Sequence, residues 1–130
     1  MFNCQKCDVE EEIRALNNDR GVDLVIEATG VASAANTGLR LLRRQGRMCA
    51  LGIAPSREST IEWLTAAEKS LQIIFSYSSS PWSWNMVVSM LARKAIDLKS
   101  LITHKAPLDK FLDVFEEIAA GNAVKCIFNP

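Results

Sequence analysis

The sequence predicts an α/β fold, on the strength of three observations. A β-branched run, Val22-Asp23-Leu24-Val25-Ile26-Glu27-Ala28, is followed within about thirty residues by a helical stretch and a second apolar run, the signature of a βαβ unit. A third run, Leu71-Gln72-Ile73-Ile74-Phe75-Ser76-Tyr77, has the same strand character. Between Leu108 and Ala120, apolar residues return to one side at helical spacing. Helices alternating with apolar strands give a parallel sheet with flanking helices.

The elements follow in order. Asp8 can cap a helix with Glu11 as capping-box partner. Glu10, Glu11 and Glu12 suit the positive end of its dipole, and Val9, Ile13 and Leu16 form its apolar stripe. Asn17 to Gly21 is a turn. The strand Val22–Ala28 reads as buried on both faces, as in a parallel sheet. Val31 to Arg43 reads as a helix with Val31, Ala34, Ala35, Gly38, Leu41 and Leu42 on one face. Arg40, Arg43 and Arg44 fit its C-terminal end, and Gly46 offers a left-handed cap. Arg47–Ile53 is the next strand, Ala54–Thr60 a polar loop, Trp63–Lys69 a short helix and Leu71–Tyr77 a third strand. Ser78-Ser79-Ser80-Pro81 ends that strand. A helix from Ser83 to Ala95 places Trp84, Val87, Val88 and Leu91 on one face. Leu101–His104 is short and extended. After Pro107, Leu108–Ala120 is amphipathic, with Leu108, Phe111, Leu112, Phe115, Ile118 and Ala119 on one side. Gly121 caps it, and Ala123–Phe128 is a last strand.

Composition narrows the function. The 130 residues suit one ordinary domain, and 48% hydrophobic with 23% charged residues is globular. Fifteen basic and fifteen acidic residues cancel, and no basic stripe favours nucleic acid or an anionic membrane. No apolar run reaches the roughly 18–20 residues of a membrane span, and Met1–Cys7 lacks the apolar core of a signal peptide. The expectation is a soluble, cytoplasmic protein.

Cys49 and Cys126 sit in strand-like stretches, where cysteine acts as a small hydrophobe. Cys4 and Cys7 form a C-x-x-C pair. Redox chemistry would want a thioredoxin-like setting and zinc a second ligand pair, so the plainer reading is two structural cysteines.

In an open parallel sheet, ligands bind beyond the carboxyl ends of the strands. Those ends are Glu27-Ala28-Thr29-Gly30, Leu51-Gly52-Ile53-Ala54-Pro55 and Phe75-Ser76-Tyr77. Gly30 and Gly52 allow close backbone approach, against the plainer reading of turns or caps. Glu27 could act as a base or ribose ligand, although a solvated or capped carboxylate is commoner. Trp63, Trp82 and Trp84 read as packing residues rather than a stacking platform. There is no G-x-G-x-x-G, no Cys/His/acid cluster at metal-ligand spacing, and only His104 for a nucleophile–histidine mechanism. The residues alone describe a partial nucleotide-binding sheet without a catalytic group.

Gly21-Val22-Asp23-Leu24-Val25-Ile26-Glu27-Ala28-Thr29-Gly30 resembles the GxDxVIEATG strand of zinc-dependent medium-chain dehydrogenases. Leu41–Met48 is similar to their LRPGGRVV block and Leu51-Gly52-Ile53 to the VGI after it. Leu101–His104 through Pro107-Leu108 resembles LITHxxPL, and Ala120-Gly121 with Val124-Lys125 the closing GxxxxKxxxxP. The blocks keep family order over essentially the whole chain, and look closest to sorbitol and threonine dehydrogenases.

The resemblance implies the second half of a Rossmann-type sheet over residues 1–75, with residues 76–130 returning towards a catalytic domain. It places the first strand, the glycine-rich turn and the zinc-binding domain before Met1. It implies NAD or NADP as cofactor, bound weakly or not at all here, with zinc used by the family but not held by this chain. Ala28 and Thr29 would lie near the adenosine half of the cofactor, with Gly30 next to them as a further cofactor-binding position. Leu51, with Gly52 beside it, Ile73 and Phe75 would meet the nicotinamide carboxamide through backbone groups, and Lys125 would approach the pyrophosphate. It also implies a homo-oligomer through Leu71–Phe75, with the exposed edge of Val22–Ala28 as a second possible contact. No dehydrogenase activity is expected of this chain alone. The alternatives are a non-enzymatic half-sheet for assembly and an unrelated nucleotide-binding α/β protein.

Overall fold

The computed structural model describes residues 1–130. They form two compact units, Met1–Ser78 and Ser79–Pro130. The first contains α1 (Val9–Leu16), β1 (Val22–Glu27), α2 (Ala32–Leu41), β2 (Leu42–Ala50), α3 (Trp63–Glu68) and β3 (Gln72–Phe75). Its three strands are parallel, in the order β1-β2-β3. The second contains α4 (Pro81–Ala92), β4 (Ile102–Pro107), α5 (Phe111–Ala119) and β5 (Lys125–Asn129), with single 3-10 turns at Lys99–Leu101 and Leu108–Lys110. Here β4 and β5 pair in parallel. The fold is α/β with parallel sheets and flanking helices.

Register explains which face of the first sheet is buried. Val25, Met48 and Ile73 are laterally aligned, and so are Ile26, Cys49 and Ile74 one position on. Side chains alternate along each strand, so the first trio faces one way and the second the other. Leu39, Leu42, Met48 and Ala66 form the core, with Val22, Val25, Leu71 and Ile73 packed against it. The opposite face is bare: Leu24 is 53% exposed, Ile26 62% and Ile74 49%. This corrects the expected two-sided burial of β1. A continuous apolar run shows that two faces want covering, but α2 and its neighbours cover only one.

Helix α2 also ends earlier than its periodicity suggests. Val31 is extended and exposed as the N-cap, and the chain turns into β2 at Leu42. Leu39, outside the expected stripe, is the most buried residue with Leu42, each at 1% exposure. A single apolar stripe implies one contact face, whereas α2 is held from more than one side. From α1, Arg14 donates to Arg40 O at 2.9 Å and Glu10 pairs with Arg40 at 2.5 Å. Beyond the end of α3, Lys69 Nζ donates to Leu39 O, Arg40 O and Leu42 O at 3.1, 2.6 and 2.8 Å. That ammonium meets the negative end of the α2 dipole. Burial is the largest influence on Lys69 and pulls its pKa down, with the nearby Arg14 charge acting the same way. The left-handed residue after α2 is Gln45 (φ 58°), not Gly46, which lies within β2 against Leu42 and Arg43.

At α1, Asp8 accepts from Glu10 N and Glu11 N at 2.9 and 3.2 Å. The reciprocal capping-box bond from Glu11 does not form. In the second unit, α4 starts at Pro81, because Ser80 caps it by accepting from Ser83 N at 3.1 Å and proline suits the first turn. The residues expected to end β3 therefore open a helix. Trp82 and Trp84 are 70% and 63% exposed, so neither is the packing residue expected. In α5 the buried side chain is Val114, beside the expected stripe. Phe115 stacks edge-on with Phe111 at 5.9 Å and Phe128 of β5 at 6.5 Å, so α5 packs across the β4–β5 pair. No helix is long and apolar enough to cross a membrane.

Candidate functional site

The carboxyl ends of β1 and β2 are tied by one acidic residue. Glu27, the last residue of β1, is 6% exposed. Its Oε1 accepts from Thr29 N at 2.7 Å, Thr29 Oγ1 at 2.6 Å and Gly30 N at 3.0 Å. Its Oε2 lies 3.2 Å from the same Gly30 N. Its backbone carbonyl accepts from Leu51 N at 2.7 Å and Gly52 N at 3.1 Å. Thr29 Oγ1 in turn accepts from Val31 N at 3.1 Å, carrying the network to the start of α2. The Thr29 hydroxyl is the strongest influence on the Glu27 carboxyl, and with the Thr29 and Gly30 amides it holds the pKa below the ordinary carboxylate range, against the upward pull of burial. A carboxylate held in its ionised form at neutral pH, with its near lone pairs occupied, is a clasp rather than a proton acceptor.

The two glycines meet at that clasp. A Cβ on Gly52 would stand 2.0 Å from Gly30 N and 2.6 Å from Glu27 Oε2. One on Gly30, whose φ is +75°, would stand 2.2 Å from Ile53 O. Neither loop tolerates a side chain without moving backbone. Ala28 and Thr29 are exposed above the clasp, and Leu51 is 45% exposed. Ala50 aligns with Phe75 at the end of β3, and Ser76 N donates to Ala50 O at 3.0 Å. Phe75 is 82% exposed and Ile73 half-buried. The fold thus brings Ala28, Thr29, Gly30, Leu51, Gly52, Ile73 and Phe75 to one end of one parallel sheet. Lys125 belongs to the second unit, exposed at the start of β5.

An open groove of about 910 Å³ adjoins these strand ends. Gly30, Val31 and Ala35 wall one side, Ala50, Ile73 and Phe75 contribute from the sheet, and Ile61, Trp63 and Ala67 close it beyond the loop. Its size lies at the upper end of the roughly 300–1,000 Å³ usual for small-molecule sites. Sequence reasoning missed the contribution of Ser56, Arg57 and Ser59, which line the groove from the loop after β2. The available signal was a lone arginine in a polar loop that follows a strand end. Trp63 is another miss: it lines the groove at 75% exposure instead of packing.

The remaining candidates contribute no second site. His104 lies in β4, its Nδ1 2.9 Å from Thr103 Oγ1. No group of three or more His, Cys, Asp or Glu side chains could hold a metal ion. The residues present do not fit a zinc centre.

The sequence model of the zinc-binding dehydrogenases matches residues 1–93. The chain belongs to the zinc-binding dehydrogenase family. Within that family it is 28% identical over 129 residues to sorbitol dehydrogenase of Halalkalibacterium halodurans, covering 99% of this chain and 38% of that protein. Alcohol dehydrogenase TADH from Thermus sp. ATN1 superposes with a TM-score of 0.91 at 22% identity, over 99% of this chain and 37% of that one. A zinc-binding dehydrogenase from Sinorhizobium meliloti 1021, solved bound to NADP, superposes with a TM-score of 0.85 at 29% identity, over 99% and 38%. The chain therefore spans well under half the length of the relatives it matches, and the part shared has the Rossmann-type dehydrogenase fold.

Proposed function

We propose that this chain is the C-terminal cofactor-binding portion of a zinc-dependent alcohol or polyol dehydrogenase, and that by itself it does not turn over substrate. The parent reaction is reversible hydride transfer between an alcohol carbon and the nicotinamide ring of NAD or NADP. The observation that carries this reading is the Glu27 clasp, which fixes the Gly30 and Gly52 loops side by side at the carboxyl end of a parallel sheet. Family membership and the NADP-bound relative support the ligand class.

The residues fit part of a dinucleotide. Ala28 and Thr29 offer exposed surface for the adenosine half, with the half-buried Gly30 beside them. The strand ends at Leu51 with Gly52, and at Ile73 and Phe75, offer backbone polar groups and apolar surface for the carboxamide and ring. Lys125 is proposed for the pyrophosphate. The bound cofactor supplies the hydride acceptor, and this chain's part is to hold and orient it. The chain contains neither the glycine-rich phosphate turn nor a metal-ligand set, so affinity is expected in the millimolar range and no carbonyl is polarised. Titration of the purified chain with NAD and NADP, alongside turnover assays with sorbitol, threonine and simple alcohols in the presence of zinc, tests this. Millimolar binding without turnover is the expected result. Clear zinc-dependent alcohol oxidation by the 130-residue chain would overturn it.

The bare sheet face favours a second reading, in which the half-sheet serves assembly. Leu24, Ile26 and Ile74 leave an apolar surface uncovered, and β1 and β3 are both edge strands. We propose self-association through Leu71–Phe75 or the Val22–Ala28 edge. Light scattering across protein concentration separates the readings: a tight dimer that ignores the dinucleotide favours assembly.

A further inference from the structure

The C-x-x-C pair at the start of the chain takes no part in the clasp or the groove. Asn3 to Cys7 is one turn of helix-like backbone: Asn3 O accepts from Lys6 N at 2.8 Å and from Cys7 N at 3.2 Å. Asn3 Oδ1 accepts from Gln5 N at 2.9 Å, fixing the start of the turn. Residues three apart in such a turn share a face, and helix dimensions put their Cα atoms about 5 Å apart. A disulfide spans Cα separations of about 4.4–6.8 Å. Cys4 is exposed and Cys7 half-buried, and both are free thiols. Cys7 Sγ lies 3.5 Å from Asn3 O, folded back along the turn on which Cys4 sits. Cys49 and Cys126 differ from this pair, each half-buried within a strand and without a cysteine neighbour in sequence.

We propose that Cys4 and Cys7 form a reversible thiol–disulfide exchange site that reacts with low-molecular-weight disulfides. The exposed Cys4 thiolate attacks one sulfur of the reagent, whose S–S bond breaks and releases one thiol. The Cys7 thiolate then attacks the Cys4 sulfur of the mixed disulfide and displaces the second thiol. Two protein thiols are oxidised, one reagent disulfide is reduced to two thiols, and the two cysteine protons pass to the departing thiolates. The new bond closes the turn immediately before Asp8, the cap of α1, and α1 carries Glu10 to Arg40 of α2. Oxidation therefore stiffens the segment that feeds the first helix.

Oxidised glutathione is the probe. The purified chain is equilibrated with it, free thiols are counted with a chromogenic disulfide, and a tryptic digest is read by mass spectrometry. Trypsin cuts after Lys6, so Met1–Lys6 and Cys7–Arg14 travel together only when joined by the disulfide. The expected result is loss of two of the four thiols, a joined peptide pair, and its separation by dithiothreitol. Cys4→Ser and Cys7→Ser should each instead accumulate a glutathione adduct on the remaining cysteine of the pair. The proposal is overturned if both thiols stay free, if each carries its own glutathione without ring closure, or if the bond formed involves Cys49 or Cys126.

Discussion

Replacing Glu27 with glutamine removes the charge from the clasp while keeping its shape, and the structure sets the size of the effect. Three donors converge on the carboxylate: Thr29 N, Thr29 Oγ1 and Gly30 N. Hydrogen bonds to a charged group contribute about 1.5–3 kcal/mol and neutral ones about 0.5–1.5, so each bond weakens by roughly 1 kcal/mol. The glutamine amide also turns a donor towards Gly30 N, which lies 3.2 Å from Oε2. Relief from burying a charge, and the exposure of Thr29 to water, offset part of this. Glu27→Gln should cost about 2 kcal/mol and Glu27→Ala about 3 kcal/mol, read as shifts in urea midpoint at unchanged slope. The sign with pH is fixed too. The folded carboxyl titrates below its ordinary 4.5, so the unfolded chain takes up the proton first as pH falls. Stability from this group is whole above that value and is lost as pH drops through the folded pKa. Glu27→Gln should flatten that part of the acid limb. A Glu27→Gln midpoint within about 0.5 kcal/mol of the parent, with the acid limb unchanged, would refute the clasp.

Three further outcomes follow from the same packing. Gly52→Ala forces a Cβ to 2.0 Å from Gly30 N, so it should cost at least about 2–3 kcal/mol, against about 1 kcal/mol for Gly121→Ala, where only the φ of +77° opposes the change and nothing lies within 4 Å. Equal losses in thermal denaturation would contradict the close approach. Lys69→Met removes the donor to three carbonyls at the end of α2 and should cost about 2 kcal/mol, with the fastest amide exchange appearing at Leu39–Leu42. Under the proposed self-association, the double substitution Ile26→Lys and Ile74→Lys should shift sedimentation towards monomer without loss of the helical circular dichroism signal, and an unaltered association constant would contradict a part for the bare face in it.

How far the sequence could be read depended on how local each feature was. Strand and helix positions were legible because period-two and period-3.6 patterns are local, and the parallel βαβ unit follows from them. What covers a face is not local. The apolar run of β1 looks the same whether Leu24 and Ile26 are buried or bare. The stripe on α2 missed Leu39 because α1 and the segment after α3 reach that helix from sides that one helix's periodicity does not reveal. Gly30 and Gly52 were legible as glycines at the carboxyl ends of strands, but their contact with each other depends on the register of β1 with β2. Glu27 drew both readings, and only its three donors decide for the clasp. Arg57 and Trp63 were missed as lining because a polar loop carries no periodicity from which to infer the direction of a side chain.

The strand ends of the first sheet are proposed here as a partial seat for a nicotinamide dinucleotide. Titrating NAD and NADP into isotope-labelled chain, with amide resonances followed residue by residue, tests it most directly. Shifts saturating in the millimolar range and concentrated at Ala28–Gly30, Leu51–Gly52 and Ile73–Phe75 are predicted. Shifts confined to other residues, or none at these positions at the highest attainable cofactor concentration, would contradict it.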